Sequence, residues 1–213
     1  MLVTRTVRID PMAGGAAGAR EVADALLAGA VAACPTETFY ALGAAAFSRR
    51  AVDRVRRLKG RDASKPLSVL ASDLDMVAAI AAATGPSFIA LAGEFWPGPL
   101  TVVLPAAAGL PEFLLGPGRT IAVRIPPVPW LRALVREMSE PLTATSANLS
   151  GESELADPAE VAALFDGKIE LIVDGGPTAG GLPSTIVDLA GDRPRVLREG
   201  RIPASRLEPF LLG

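Results

Sequence analysis

Ser146 and Asn148 stand two residues apart at the end of the apolar run "PLTATSANLSG", Pro141 to Gly151. A hydroxyl and an amide together supply donors and acceptors, which suits phosphate oxygens, a metal-bound water or a ribose. In isolation the same pair also reads as a polar turn. Lys59 and Arg61 lie at the end of a basic helix in "RRLKGRDASKPLSVLA". A guanidinium fork and a mobile ammonium two apart in a turn can converge on one anion. The alternative is a pair of cations favoured at a helix C-terminus by the helix dipole. Lys65 adds a third cation at the mouth of the next strand, while Arg54, Arg56 and Arg57 read as solvated helix face.

Arg124 is set among Val123 and Ile125 in the strand pattern "TIAVRIPPVP". A buried guanidinium is costly without an anion, so it needs a carboxylate, either from the chain or from a ligand. Thr36, Glu37 and Thr38 follow a buried run in "CPTETFYALG". In open α/β sheets such strand ends face the ligand crevice; otherwise these residues cap a local turn. Ser184 and Thr185 repeat the theme at the start of a strand in "LPSTIVDL".

What is missing narrows the chemistry. The chain has no histidine and one cysteine, Cys34. That removes histidine general-base catalysis and the Ser-His-Asp triad, rules out an internal disulfide and argues against a structural zinc site. A metal here is expected to be a hard ion such as Mg²⁺ arriving with a phosphate ligand, with no protein side chain singled out to hold it. The net charge of −2 speaks against a histone-like binder of nucleic acid, though not against a local basic patch. Gly14, Gly15 and Gly18 suggest a dinucleotide turn, but the G-x-G-x-x-G spacing is wrong, and they read as a flexible turn before a helix. No signal core and no apolar span of membrane length are present, so a soluble cytoplasmic protein is expected.

The elements that must position these residues alternate along the whole chain. Helices are expected over 19–30, 48–60 with Ser48 as N-cap, 73–83, 86–96, 128–138, and 157–167 with Asp157 as cap and Pro158 in the first turn. Strand patterns fall at 3–9, 66–71, 99–106, 120–126, 141–147, 169–176, 184–190 and 193–200, with a short buried run from 30 stopped by Pro35. No repeat or linker breaks the pattern, and the strands crowded near the C-terminus predict a mixed sheet in one α/β domain over 1–213.

Six stretches in order, "PTETFYALG", "KGRDASKPLSVL", "WPGPLTVVLP", "AVRIP", "PLTATSANLSG" and "PSTIVDL", resemble the YrdC-like domain family, the threonylcarbamoyl-AMP synthases. They span Pro35 to Leu189. The family's K-x-R and S-x-N signature is present as Lys59, Arg61, Ser146 and Asn148. The resemblance implies a single-domain twisted, mixed open sheet with helices around it and a large concave cavity. It implies a short-form protein that joins L-threonine, bicarbonate and ATP, with Mg²⁺, into threonylcarbamoyl-AMP and pyrophosphate. Transfer proteins then pass the group to tRNA. By the same resemblance Lys59, Arg61, Ser146 and Asn148 are catalytic and bind ATP, with Arg198 reaching the nucleotide. Thr36, Arg124 and Ser184 bind threonine. Two positions depart from the family pattern: Ala41 replaces a glycine, and Val128 replaces a frequent histidine. The competing readings are a paralogue that binds nucleotide or double-stranded RNA without synthase activity, and a carbamoyl-transfer relative.

Overall fold

In the strand "LTVVLP", Leu100, Val102 and Leu104 alternate with Thr101 and Val103, so one face of the strand is apolar and the other is mixed. The same alternation recurs in neighbouring strands and decides where the core and the cavity lie. The structure is a computed structural model, and it describes residues 2–13, 17–60, 67–82, 85–191 and 193–211.

Among the described residues ten strands form one sheet. They are β1 (Arg5–Arg8), β2 (Ala32–Pro35), β3 (Tyr40–Gly43), β4 (Ser68–Leu70), β5 (Leu100–Pro105), β6 (Thr120–Arg124), β7 (Leu142–Ser146), β8 (Leu171–Asp174), β9 (Thr185–Asp188) and β10 (Arg195–Arg198). The order across the sheet is β1-β8-β2-β3-β7-β4-β6-β5-β9-β10. The sheet is mixed, as expected: β1–β8, β2–β8, β4–β6 and β5–β9 are parallel, while β2–β3, β3–β7, β4–β7, β5–β6 and β9–β10 are antiparallel. β7 joins the two halves. Its start pairs with β4 through Leu142 and Leu70, and its end pairs with β3 through Ser146 and Ala41.

Among the described residues seven α-helices flank the sheet: α1 (Ala19–Leu27), α2 (Arg49–Leu58), α3 (Leu74–Ile80), α4 (Pro86–Phe95), α5 (Pro129–Met138), α6 (Pro158–Phe165) and α7 (Ala204–Leu211). The expected caps form. Ser48 accepts from Ala51 N–H at the start of α2, Asp73 from Met76 N–H at α3, and Asp157 from Ala159 N–H at α6, with Pro158 in the first turn. On one sheet face Val69, Val102, Ile121, Val123 and Val187 bury against Val52 and Val55 of α2, Phe88 and Leu91 of α4, Phe165 of α6 and Leu207 of α7. On the other face α1 and α5 cover only part of the sheet, packing Val22, Leu26, Leu131 and Leu134 with Ala32, Cys34, Leu171 and Val173. The rest of that face is left open as a cavity.

Several expectations need correction. The run "YALG" is a strand in its own right, β3, folded back on β2 as a hairpin with 36–39 as its turn. The first half of the motif is therefore a turn between two strands, as the turn reading of Thr36, Glu37 and Thr38 has it. α3 stops at Ile80 and not near 83, because Ala81 leaves the helix to bridge Ala106 and Ala82 N–H donates to Pro105 O. Arg56 is not solvated: it is 8% exposed and donates to Phe113 O. Arg54 is half-buried and paired with Glu170. Gly18 enters α1 at φ 73, consistent with a turn, while Gly14 and Gly15 lie outside the described residues. Among the described residues no helix is long and apolar enough to cross a membrane.

Candidate active site

The mixed face of the sheet lines a cavity of about 360 Å³. Alternation supplies its floor: Ser68 from β4, Thr101 and Val103 from β5, Ala122 and Arg124 from β6, Ala144 and Ser146 from β7, and Ile186 from β9. The volume is in the range of small-ligand sites. Sequence reading missed Ser68, Thr101 and Glu154. For Ser68 and Thr101 the available signal was a lone polar residue on one face of an otherwise apolar strand, "LSVL" and "LTVV".

At one edge of this cavity Lys59, Ser146 and Asn148 converge, although 87 and 89 residues separate Lys59 from the other two. Lys59 is the C-cap of α2, which ends because Gly60 takes φ 58. Its Nζ donates to Ser146 O at 2.5 Å, Asn148 Oδ1 at 2.6 Å and Asn148 O at 3.0 Å, with Ser146 Oγ 3.4 Å away. Ser146 Oγ in turn donates to Asn148 Oδ1 at 2.7 Å, and Asn148 Nδ2 donates to Glu152 O at 2.6 Å. Ser150 N–H closes the loop onto Lys59 O. Lys59 is 4% exposed and Asn148 6%, so a full positive charge is held in a buried polar network. Ser146 faces the cavity, and Lys59 and Asn148 brace it. Arg61 and Lys65 lie outside the described residues.

Arg124 is buried, and Glu37 answers its charge: Arg124 Nη1 donates to Glu37 Oε1. Of the two partners that sequence left open, the one the chain itself provides is a carboxylate in the β2–β3 turn. Glu37 Oε2 is buried and has no hydrogen-bond partner among the described residues. Thr36, beside it, both lines the cavity and ties the turn: its Oγ1 donates to Phe39 O at 2.7 Å and accepts from Thr38 N–H at 3.2 Å. The ligand-facing and turn-capping readings of this stretch thus describe the same residue.

At the far edge Ser184 precedes β9. Its Oγ lies 3.2 Å from Thr101 Oγ1, and Arg198 of β10 forks onto its carbonyl through Nε and Nη2 at 3.2 and 2.7 Å. Gly200 makes this packing possible: a Cβ there would stand 2.2 Å from Pro183 O. Arg198 is held below its ordinary pKa by desolvation first; Glu154 opposes this and Arg124 adds to it. Burial pushes the Tyr40 hydroxyl up to about 12, and it donates a hydrogen bond to Gly176 O that anchors the ring. Ala41, the glycine replacement, sits on the cavity wall opposite Ser146 in register, while Val128 is buried at the start of α5. Among the described residues no group of three or more His, Cys, Asp or Glu gathers to hold a metal. The oxygens on offer beside Lys59 are a hydroxyl and an amide.

A family model described as "Telomere recombination", uniting Sua5, YciO and YrdC, matches residues 24–200. Threonylcarbamoyl-AMP synthase of Pyrococcus abyssi is 39% identical over 86% of this chain and 54% of its own length. The Bacillus subtilis protein of the same name is 39% identical over 85% of this chain and 53% of its own. The chain therefore spans about half the length of these two curated relatives. The crystal structure of P. abyssi Sua5 complexed with L-threonine superposes with a TM-score of 0.87 at 36% identity, covering 99% of this chain and 61% of that one. With sequence and fold in agreement over most of its length, the chain belongs to the Sua5/YciO/YrdC family.

Proposed function

We propose that this chain makes threonylcarbamoyl-AMP and pyrophosphate from L-threonine, bicarbonate and ATP, as a nucleotidyltransferase serving tRNA threonylcarbamoyladenosine modification. The observation that carries the reading is the convergence of Lys59 Nζ on Ser146 and Asn148 at the edge of a cavity that also holds Arg124. It is supported by relatives named for this activity and by a similar structure bound to threonine.

The amine of threonine adds to the carbon of bicarbonate-derived CO₂ to give a carbamate. A carbamate oxygen then attacks the α-phosphorus of ATP, and pyrophosphate leaves. This chemistry needs positioning and charge neutralisation more than a protein nucleophile, which a chain without histidine can supply. Lys59 and Arg61 hold the triphosphate, and Ser146 turns its hydroxyl to the phosphates with Asn148 setting its orientation. Arg198 takes the nucleotide. Arg124 takes the threonine carboxylate on the edge of its guanidinium that Glu37 leaves open, and Thr36 and Ser184 wall the amino-acid end. The hydroxyl and amide oxygens beside Lys59 are hard donors and fit Mg²⁺ carried in on the triphosphate; that ion supplies charge neutralisation when bound. The product passes to threonylcarbamoyl-transfer proteins acting on tRNA.

The test is pyrophosphate release by purified protein with ATP, Mg²⁺ and bicarbonate, with and without L-threonine. Threonine-dependent release is expected. ATP binding without release would overturn the synthase reading in favour of a nucleotide- or RNA-binding paralogue.

A further inference from the structure

A second pocket, of about 370 Å³, lies outside the catalytic cavity. Ser72 and Asp73 follow β4 and Ile125 follows β6, so two parallel strands deliver their carboxyl ends to it. In open α/β sheets such ends are where ligands bind. Trp96, Pro97, Ala92 and Ile125 form an apolar wall, and Arg132 and Arg136, one turn apart on α5, supply positive charge. Arg124 and Ile125 are neighbours in sequence, yet the first lines the catalytic cavity and the second this pocket.

Arg132 is the unexplained group. Among the described residues its side chain makes no hydrogen bond or ion pair, and its Nε is buried without a partner. Arg132 as a whole is partly buried, but an N–H of its guanidinium removed from water with no acceptor is costly. Arg136 is engaged only loosely, 3.7 Å from Asp73 Oδ2. Asp73 is otherwise occupied with Met76 N–H and Ser72 Oγ. Asp75 also lines the pocket, so the two arginines face two carboxylates. The four charges sum to zero, so what draws an anion here is the unpaired guanidinium of Arg132 and not a net positive field; one carboxylate can meet it, and a triphosphate would be repelled.

We infer that this pocket is a second binding site, for a small monoanionic carboxylate with a flat apolar body, its carboxylate on Arg132 and its body against Trp96. A planar carboxylate matches the guanidinium fork, and an aromatic or flat aliphatic body matches the indole wall.

The probe is 3-phenylpropionate, and the readout is Trp96 fluorescence. The chain has two tryptophans, and the other, Trp130, is 1% exposed. Saturable quenching is expected, absent in Trp96→Phe and unchanged by excess L-threonine, which separates this pocket from the catalytic cavity. The neutral analogue 3-phenylpropanol and the Arg132→Gln variant should each weaken binding about tenfold or more, the loss of one charge-assisted interaction. Arg136→Gln should weaken it less, and pyrophosphate release should be unchanged in both variants. The inference is overturned by no saturable quenching up to about 10 mM, by equal binding of acid and alcohol, or by displacement with threonine. The acid–alcohol comparison uses the unaltered protein, so it decides the matter even if a variant does not fold.

Discussion

Lys59→Met keeps the length of the side chain and removes its charge and its donors. In the folded protein three short contacts depend on that ammonium: Ser146 O at 2.5 Å, Asn148 Oδ1 at 2.6 Å and Asn148 O at 3.0 Å. Each hydrogen bond to a charged group contributes about 1.5–3 kcal/mol. Burying the ammonium, which is 4% exposed, costs a large part of that sum. Ser146 Oγ still satisfies Asn148 Oδ1 after the change, and Asn148 N–H still donates to Ser146 O at 3.0 Å, so Asn148 O is the carbonyl left wanting. A net loss of about 3 kcal/mol follows, or roughly 6–12 °C in Tm for a chain of this size. The prediction for activity is separate and larger. With Ser146 and Asn148 released, and a charge removed from the proposed phosphate site, threonine-dependent pyrophosphate release should fall by about 100-fold or more. Both quantities are read on one preparation: denaturant unfolding for stability, and pyrophosphate release at a temperature where the variant is folded. Release within about threefold of the unaltered protein would refute the argument that this network orders the phosphate site. Unchanged stability would refute the claim that Lys59 braces the 146–148 loop.

Glu37→Gln should destabilise the protein by about 3 kcal/mol, because it leaves Arg124 buried beside a neutral amide. A double-mutant cycle with Arg124→Ala, read by denaturant unfolding, should give a coupling of at least about 1 kcal/mol; additivity would show that the pair is incidental. Gly200→Ala drives a Cβ to within 2.2 Å of Pro183 O, so it should cost about 2 kcal/mol or more and raise KM through displacement of Ser184 and Arg198. A wild-type Tm and KM would show that the segment yields freely. Burial pushes the Cys34 thiol up to about 12, so the thiolate is scarce below that pH and iodoacetamide should leave native protein unlabelled at pH 8. Labelling by mass spectrometry should appear only on unfolding, and rapid labelling of the native state would contradict the burial.

Local patterns in the sequence specify much of the fold. Ser48, Asp73 and Asp157 cap helices because a short side chain before an apolar-periodic run satisfies a free N–H, a relation that spans only three residues. Alternation in "LTVVLP" and "TIAVRI" likewise determines which residues share a face. Those patterns cannot say which strands become neighbours. The hairpin of β2 and β3 went unread because "YALG" is too short and apolar to distinguish from the run before it, and only its pairing with β2 and β7 defines it. α3 ended early because Ala81 found a strand partner 25 residues away, a tertiary contact overriding a helical pattern.

The candidate site divides in the same way. Residue types singled out Lys59, Ser146, Asn148, Arg124, Thr36 and Ser184 as candidates, since a hydroxyl, an amide or a charge at an apolar strand end needs a partner, while Arg198 and the roles proposed for all of them came from the family resemblance. Which partner each one has was decided by the sheet. Placing β7 against β3 and β4 sets Ser146 and Asn148 on the end of α2, and folding the β2–β3 turn over β6 gives Arg124 to Glu37. Those contacts join residues 87 positions apart. At that separation side-chain type sets what a residue requires, and only the order of the strands determines what meets the requirement.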